Sequence, residues 1–189
     1  MRAFAAGQVI ASRNAAYAEN DRVMGMLGWQ EYAVTDGKAI RRKVVETDLP
    51  LSLSLGILGL NGVTAYFALT EVGEPRPGDT VVVSTAAGAV GSAVGQIGTA
   101  SVPSWEPWPA GPRVERHLLN KSARMQGFLV WDYEHRYNEA VTRLAAWIRS
   151  GQLRYREEIL DGLEASPDAI AGLYRGENLG KRVIKLRHG

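Results

Sequence analysis

A continuous β-branched run, Thr80-Val81-Val82-Val83-Ser84, passes through the small-residue turn Thr85-Ala86-Ala87-Gly88-Ala89-Val90-Gly91-Ser92 into an apolar stripe at Ala93, Val94 and Ile97. Unbroken apolar runs of this kind belong to parallel strands buried on both faces. The order strand, tight turn, helix is the first half of a βαβ unit and points to the α/β class. Such a turn aims backbone N–H groups and the positive end of a helix at one place, which suits an anion such as pyrophosphate. Against the pattern G-x-G-x-x-G, Ala86 holds the first position, and Gly88 and Gly91 hold the second and third. A loose pattern also fits an ordinary βα turn, so the motif alone leaves both readings open. A nucleotide unit should continue into a second parallel strand with a ribose-reading residue about 20 residues on. Here residues 98–112 carry Pro103, Pro107, Pro109 and Pro112 with Trp105 and Trp108. That composition excludes a helix or a central strand. The βαβ unit begins and is not completed.

The first third predicts short strands. Candidates are Gly7–Ser12, Asp21–Met26 and the alternating Trp29–Val34. Short strands with Gly and Asn-Asp or Asp-Gly between them suggest a small, bent barrel or sheet. From Asn61, a candidate cap, the spacing of Val63, Tyr66, Phe67 and Thr70 predicts a helix to Glu71. Glu74–Asp79 is a turn by composition. Later elements are a short helix at Val114–Asn120, a strand at Arg124–Val130 and a helix at Glu134–Ser150 stopped by Gly151. A strand at Leu153–Leu160, a helix from Ser166 to about Arg175 and a final strand at Lys181–Leu186 close the chain. Ser166 is the expected cap of its helix, with Pro167 and Asp168 in the first turn.

The chain has 189 residues, with 22 Lys and Arg against 20 Asp and Glu, and no cysteine. Zero cysteines exclude disulfides, thiolate zinc sites and Cys nucleophiles. His117, His135 and His188 are far apart in sequence, and no metal site is expected. The charges are interleaved without a basic block, so neither nucleic acid nor a membrane surface is expected as a partner. The longest apolar stretch, Leu49–Leu60, is interrupted by Pro50, Ser52, Ser54 and two glycines, well short of the ~20 apolar residues of a span. With no signal-like apolar region after Met1, the expected compartment is the cytoplasm.

Gly59-Leu60-Asn61-Gly62-Val63-Thr64-Ala65-Tyr66-Phe67, followed by Gly78–Ser92, resembles the zinc-independent medium-chain dehydrogenase/reductase superfamily. The closer likeness is to its leukotriene B4 dehydrogenase, prostaglandin reductase and curcumin reductase branch. Gly28–Tyr32, Met125–Val130, Gly151–Glu157 and Gly176–Lys181 agree, in family order and over almost the whole chain. The resemblance implies an α/β fold: a partial GroES-like β-barrel catalytic domain at 1–60 and an incomplete Rossmann nucleotide-binding domain at 61–130. Residues 131–189 would supply a helix and strands returning to the catalytic domain. It further implies a zinc-free, NADP(H)-dependent oxidoreductase, an enone or enal reductase. Hydride would pass from NADPH to the β-carbon of an α,β-unsaturated ketone or aldehyde. Homodimers are common in the family, so a second copy is an expected partner.

Carried over by motif, Gly88, Ala89, Val90 and Gly91 match the pyrophosphate turn. Phe128, Leu129 and Val130 match a segment lining the nicotinamide site, and Asn178 and Thr64 match residues near that ring. By residue type alone, Phe128–Val130 is equally a buried strand, Asn178 a turn residue before the last strand, and Thr64 a helix-surface hydroxyl. Tyr66, Tyr155 and Trp29 are expected to pack. No proton donor is assigned, so the catalytic residues stay unknown.

Relative to the family the chain is short. The resemblance implies barrel strands ahead of Met1 and most of a nucleotide-binding domain at roughly Ile97-Gly98, and both stretches are expected to be absent from this sequence. The residues that would choose NADP over NAD are among those missing. Two readings therefore stand: an enone reductase, or a noncatalytic remnant that packs or oligomerises. A phosphate site for another nucleotide lacks the Lys that a P-loop places after its glycines.

Overall fold

The computed structural model describes residues 3–76, 119–121 and 126–186. The Val81–Val83 run, the glycine turn at Gly88–Gly91, the Ile97-Gly98 join and the Trp105/Trp108 loop lie outside the described residues.

Strands β1 (Ala5–Gln8), β2 (Arg22–Gly25) and β3 (Ile40–Lys43) form an antiparallel sheet in that order. The first two expected strands are present, shorter and with β1 displaced toward the N-terminus. The third was misplaced. Trp29–Val34 is irregular, and Val34 is fully exposed. Gly28 has a positive φ of 80°, which breaks the extended path just before it. β3 carries no apolar alternation because its cations have ionic partners. Arg41 pairs with Glu134 at 2.7 Å, Arg42 with Glu46 at 2.6 Å and Lys43 with Asp21 at 2.6 Å. Gly25 is required at the β2–β3 bulge, since a Cβ there would stand 2.1 Å from the Ala39 carbonyl oxygen.

Beyond β3 the Arg22 guanidinium donates to the carbonyls of Glu46, Thr47 and Leu49 at 3.4, 3.1 and 3.2 Å. That clamp leads the chain into a 3₁₀ turn, Leu51–Leu55. Helix α1 (Leu60–Phe67) follows, prolonged by a π-helical segment at Ala68–Gly73. Its cap is Gly59 and not Asn61, which lies inside the first turn. A Cβ at Gly59 would fall 2.2 Å from the Ser54 oxygen, so only glycine admits this entry.

Gln126–Leu129 is irregular and Val130–Arg136 is 3₁₀, so the expected strand at 124–130 is not seen among the described residues. It has no ladder partner there, and its apolar side chains pack onto helices instead. Helix α2 (Tyr137–Arg149) occupies most of the expected Glu134–Ser150 span, and Gly151 (φ 73°) stops it. β4 (Glu157–Asp161) and β5 (Lys181–Lys185) pair in parallel through the crossover helix α3 (Ser166–Tyr174). Ser166 does not cap α3. A 3₁₀ turn at Leu163–Ala165 runs directly into the helix, so Ser166 is already helical and its buried Oγ has no partner.

The core joins the 3₁₀ turn, α1 and α2. Leu53, Leu58, Val63, Phe67, Ala140, Val141, Leu144 and Ala145 form one buried cluster. Tyr66 packs on its rim, edge to face with Phe67 at 5.1 Å. Tyr155, expected to pack, is 42% exposed. Among the described residues no helix is long and apolar enough to cross a membrane.

Phe67 is fully buried, so Phe67→Ala is expected to lower unfolding free energy by about 3–5 kcal/mol, read from urea titration. The carboxyls of Asp21, Asp48, Glu139 and Glu158 are held below their ordinary range by hydrogen bonds from Lys43, Arg149, Arg136 and Arg182. Groups depressed in this way stabilise the fold above the ordinary carboxylate pKa, and the contribution is lost as pH falls through the folded value. The denaturation midpoint should therefore fall once pH drops below about 4, and less steeply in high salt because the pairs are solvent-facing.

Candidate functional site

Helix α1 directs Val63 and Phe67 into the core, and the intervening Thr64 is only 2% exposed. The surface-hydroxyl reading of Thr64 is therefore excluded by burial. Its carbonyl accepts the Ala68 N–H, part of the tightened end of α1.

Phe128 and Val130 pack against the same core. Phe128 meets Tyr133 edge on at 6.1 Å, and Tyr133 stacks on Phe67 at 4.6 Å with planes 16° apart. Leu129, between the two anchors, is 53% exposed. The segment thus holds two side chains inside and presents the third. Sequence reasoning missed Tyr133, although its place among clustered aromatics before the α2 stripe is a usable signal.

Two clamps fasten this layer to the chain before α1. The Arg41 guanidinium lies 4.6 Å from the Trp131 ring and 5.7 Å from the Tyr137 ring while pairing with Glu134. Arg149 grips Asp48 with two hydrogen bonds of 2.7 Å. The Tyr137 hydroxyl is buried without a partner, and burial pushes its pKa up to about 12.

Asn178 lies apart from these residues, at the entrance to β5, and is half-buried. Its side-chain amide donates to the Gly180 carbonyl at 3.1 Å. Gly176 and Gly180 have positive φ values of 71° and 78°. A Cβ on Gly180 would stand 2.2 Å from the Arg156 oxygen, and the Lys181 N–H donates to that oxygen at 3.0 Å. The turn-residue reading of Asn178 is correct as geometry, and the turn is rigidly tied to β4. The tie to α1 runs through Ser52, whose hydroxyl donates to Glu157 at 2.7 Å.

Phe128 and Val130 thus pack on the core that Val63 and Phe67 of α1 enter, Thr64 is buried on the same helix, Leu129 is exposed, and Asn178 lies apart on the turn tied to β4. Gly88, Ala89, Val90 and Gly91 lie outside the described residues. Among the described residues no group of three or more His, Asp or Glu could hold a metal ion.

A family model described as the N-terminal domain of oxidoreductase matches residues 1–43. The putative NADP-dependent oxidoreductase YfmJ of Bacillus subtilis is 33% identical, over 89% of this chain and 73% of its own length. Rat prostaglandin reductase 1 is 31% identical over 94% of this chain and 79% of its own. The crystal structure of CurA from Vibrio vulnificus in complex with NADPH superposes with a TM-score of 0.78 at 28% identity, covering all of this chain and 80% of that one. The alignment with the rat enzyme spans 261 positions but uses 94% of 189 residues, about 178. About 261 − 178 = 83 of its positions therefore have no counterpart in this chain.

The division of labour within residues 128–130 can be tested by stability. Leu129→Ser should change unfolding free energy by less than about 0.5 kcal/mol. Phe128→Ala should cost about 2 kcal/mol or more, both measured by chemical denaturation.

Proposed function

The chain belongs to the zinc-independent medium-chain dehydrogenase/reductase family, in the branch of prostaglandin, alkenal and curcumin reductases, and we propose that Thr64, Phe128–Val130 and Asn178 form the nicotinamide end of its cofactor site. It is an NADP-dependent oxidoreductase that reduces the C=C bond of α,β-unsaturated ketones and aldehydes. The observation that carries this is kinship with this group of reductases along nearly the full chain, 94% of it against rat prostaglandin reductase 1.

Two features of the described residues support this reading of the ring end of NADP(H). Half-exposed Leu129, held between two anchored neighbours, offers an apolar edge to a flat ring. Asn178 offers a carboxamide whose orientation is set by its bond to Gly180. When bound, the reduced nicotinamide supplies the hydride that the β-carbon accepts. The chain's own contribution is orientation and exclusion of water. Phe128, Val130 and Tyr133 hold the segment that carries Leu129, and Thr64 is buried on α1 between Val63 and Phe67. Gly88–Gly91 is proposed as the pyrophosphate turn.

The proposed domain layout is a GroES-like part at 1–60, a Rossmann part at 61–130 with a deletion near 97–98, and a C-terminal part at 131–189. The roughly 83 positions without counterpart support that deletion. They also favour one second reading, a remnant that has lost turnover. A homodimer is part of the proposal, on the ground that homodimers are common in the family. Cytoplasmic placement rests on the sequence reading alone.

Titration of the 189-residue product with NADPH, followed by nicotinamide fluorescence, separates the readings. The reductase predicts saturable binding and, with an added enone, loss of the cofactor's near-ultraviolet absorbance. No binding at high micromolar NADPH would favour the remnant.

A further inference from the structure

Glu157 and Lys181 are directly paired across the first rung of the parallel β4–β5 ladder. Ser52 donates to one Glu157 oxygen at 2.7 Å, while the other, Oε1, is buried and accepts no hydrogen bond. Gly56 makes room for this group. A Cβ there would come within 3.2 Å of the Lys181 Cγ and 3.9 Å of Glu157 Oε1. Burial holds the Glu157 carboxyl above its ordinary range and the Lys181 amine below its own. Two opposite ionisable groups enclosed this way constrain one another's position, since displacing either leaves a desolvated partner behind.

The next rung is different. Glu158 and Arg182 point to the other face, joined by two bonds of 2.9 and 3.0 Å, and Arg182 also donates to the Ala169 carbonyl of α3 at 3.0 Å. Consecutive strand residues alternate faces, so one ladder carries an ion pair, Glu158–Arg182, on one face and the facing ionisable groups Glu157 and Lys181 on the other. The Glu158–Arg182 pair ties the sheet to α3. The Glu157–Lys181 pair ties it to the 3₁₀ turn that precedes α1. Only the second links Asn178, three residues before Lys181, to the helix that bears Thr64.

We propose that Ser52, Glu157 and Lys181 act as positioning residues for the reductase site, setting the Asn178 turn against the start of α1. This rests on the reading of Asn178 and Thr64 as neighbours of the nicotinamide. None of the three residues is required to touch the cofactor.

The test is NADPH affinity of the full chain, measured by nicotinamide fluorescence and referred to the folded fraction seen by circular dichroism. Lys181→Met should weaken NADPH binding about tenfold, as a displaced positioning contact does. Arg182→Met, on the opposite face of the same strand, should leave the affinity of folded molecules unchanged. Adding Glu157→Gln to Lys181→Met should recover much of the loss, because the orphaned carboxylate is then neutral. Should Lys181→Met fail to fold, Gly56→Ala crowds the same lysine and should raise the NADPH dissociation constant. Equal loss in the Lys181 and Arg182 variants, or no loss in Lys181→Met and Gly56→Ala, would overturn the positioning role alone. Absence of NADPH binding by the unaltered chain would overturn the reading beneath it.

Discussion

The approach of the 3₁₀ turn to the start of α1 is the contact on which the rest depends. At Gly59 and Gly62 a Cβ would meet the carbonyl oxygens of Ser54 and Ile57 at 2.2 and 1.8 Å. No side chain can be admitted at that separation, so two glycines set how the chain enters the helix. Once α1 starts there, Val63 and Phe67 point at α2 and Thr64 is enclosed beside them. The same turn puts Leu53 into the core and Ser52 against Glu157. Core, candidate ring site and the β4–β5 ladder thus share one short segment, Leu51–Gly62. The N-terminal sheet reaches it through the Arg22 clamp on residues 46–49, and α2 reaches it through Arg149 and Asp48.

Elements whose burial is expressed in the spacing of their own residues were legible. Helix α2 carries a regular apolar face and a glycine stop, β5 lies where its sequence pattern put it, and β4 begins at Glu157, four residues later than its pattern suggested. Errors arose where tertiary partners decide. Ile40–Lys43 lacks apolar alternation and drew no strand expectation, yet each of its three cations is paired and the backbone joins β2. Trp29–Val34 alternates like a strand but follows a glycine with positive φ. Ser166 has the composition of a cap, but the preceding 3₁₀ turn makes it helical. Phe128 and Val130 pack half-buried on the core, with no ladder among the described residues, which alternation cannot foretell.

The candidate site was legible only through family likeness. Thr64, Phe128–Val130 and Asn178 are uncharged, and nothing in their local chemistry separates them from packing or turn residues. What the structure adds is the support around them. Tyr133 bridges Phe128 to Phe67, Arg41 covers Trp131, and Ser52 reaches Glu157 from 105 residues away. Contacts over such separations leave no trace in local pattern. The proline-rich stretch at 98–112, from which an incomplete βαβ unit was expected, lies outside the described residues.

The central claim is that one cofactor end is held jointly by α1, the 126–130 segment and the 176–180 turn. Hydrogen exchange by mass spectrometry, with and without saturating NADPH, addresses it directly. The account predicts slowed exchange together in peptides covering residues 60–67, 126–130 and 176–180. NADPH binding without slowed exchange in the 126–130 and 176–180 peptides would contradict it.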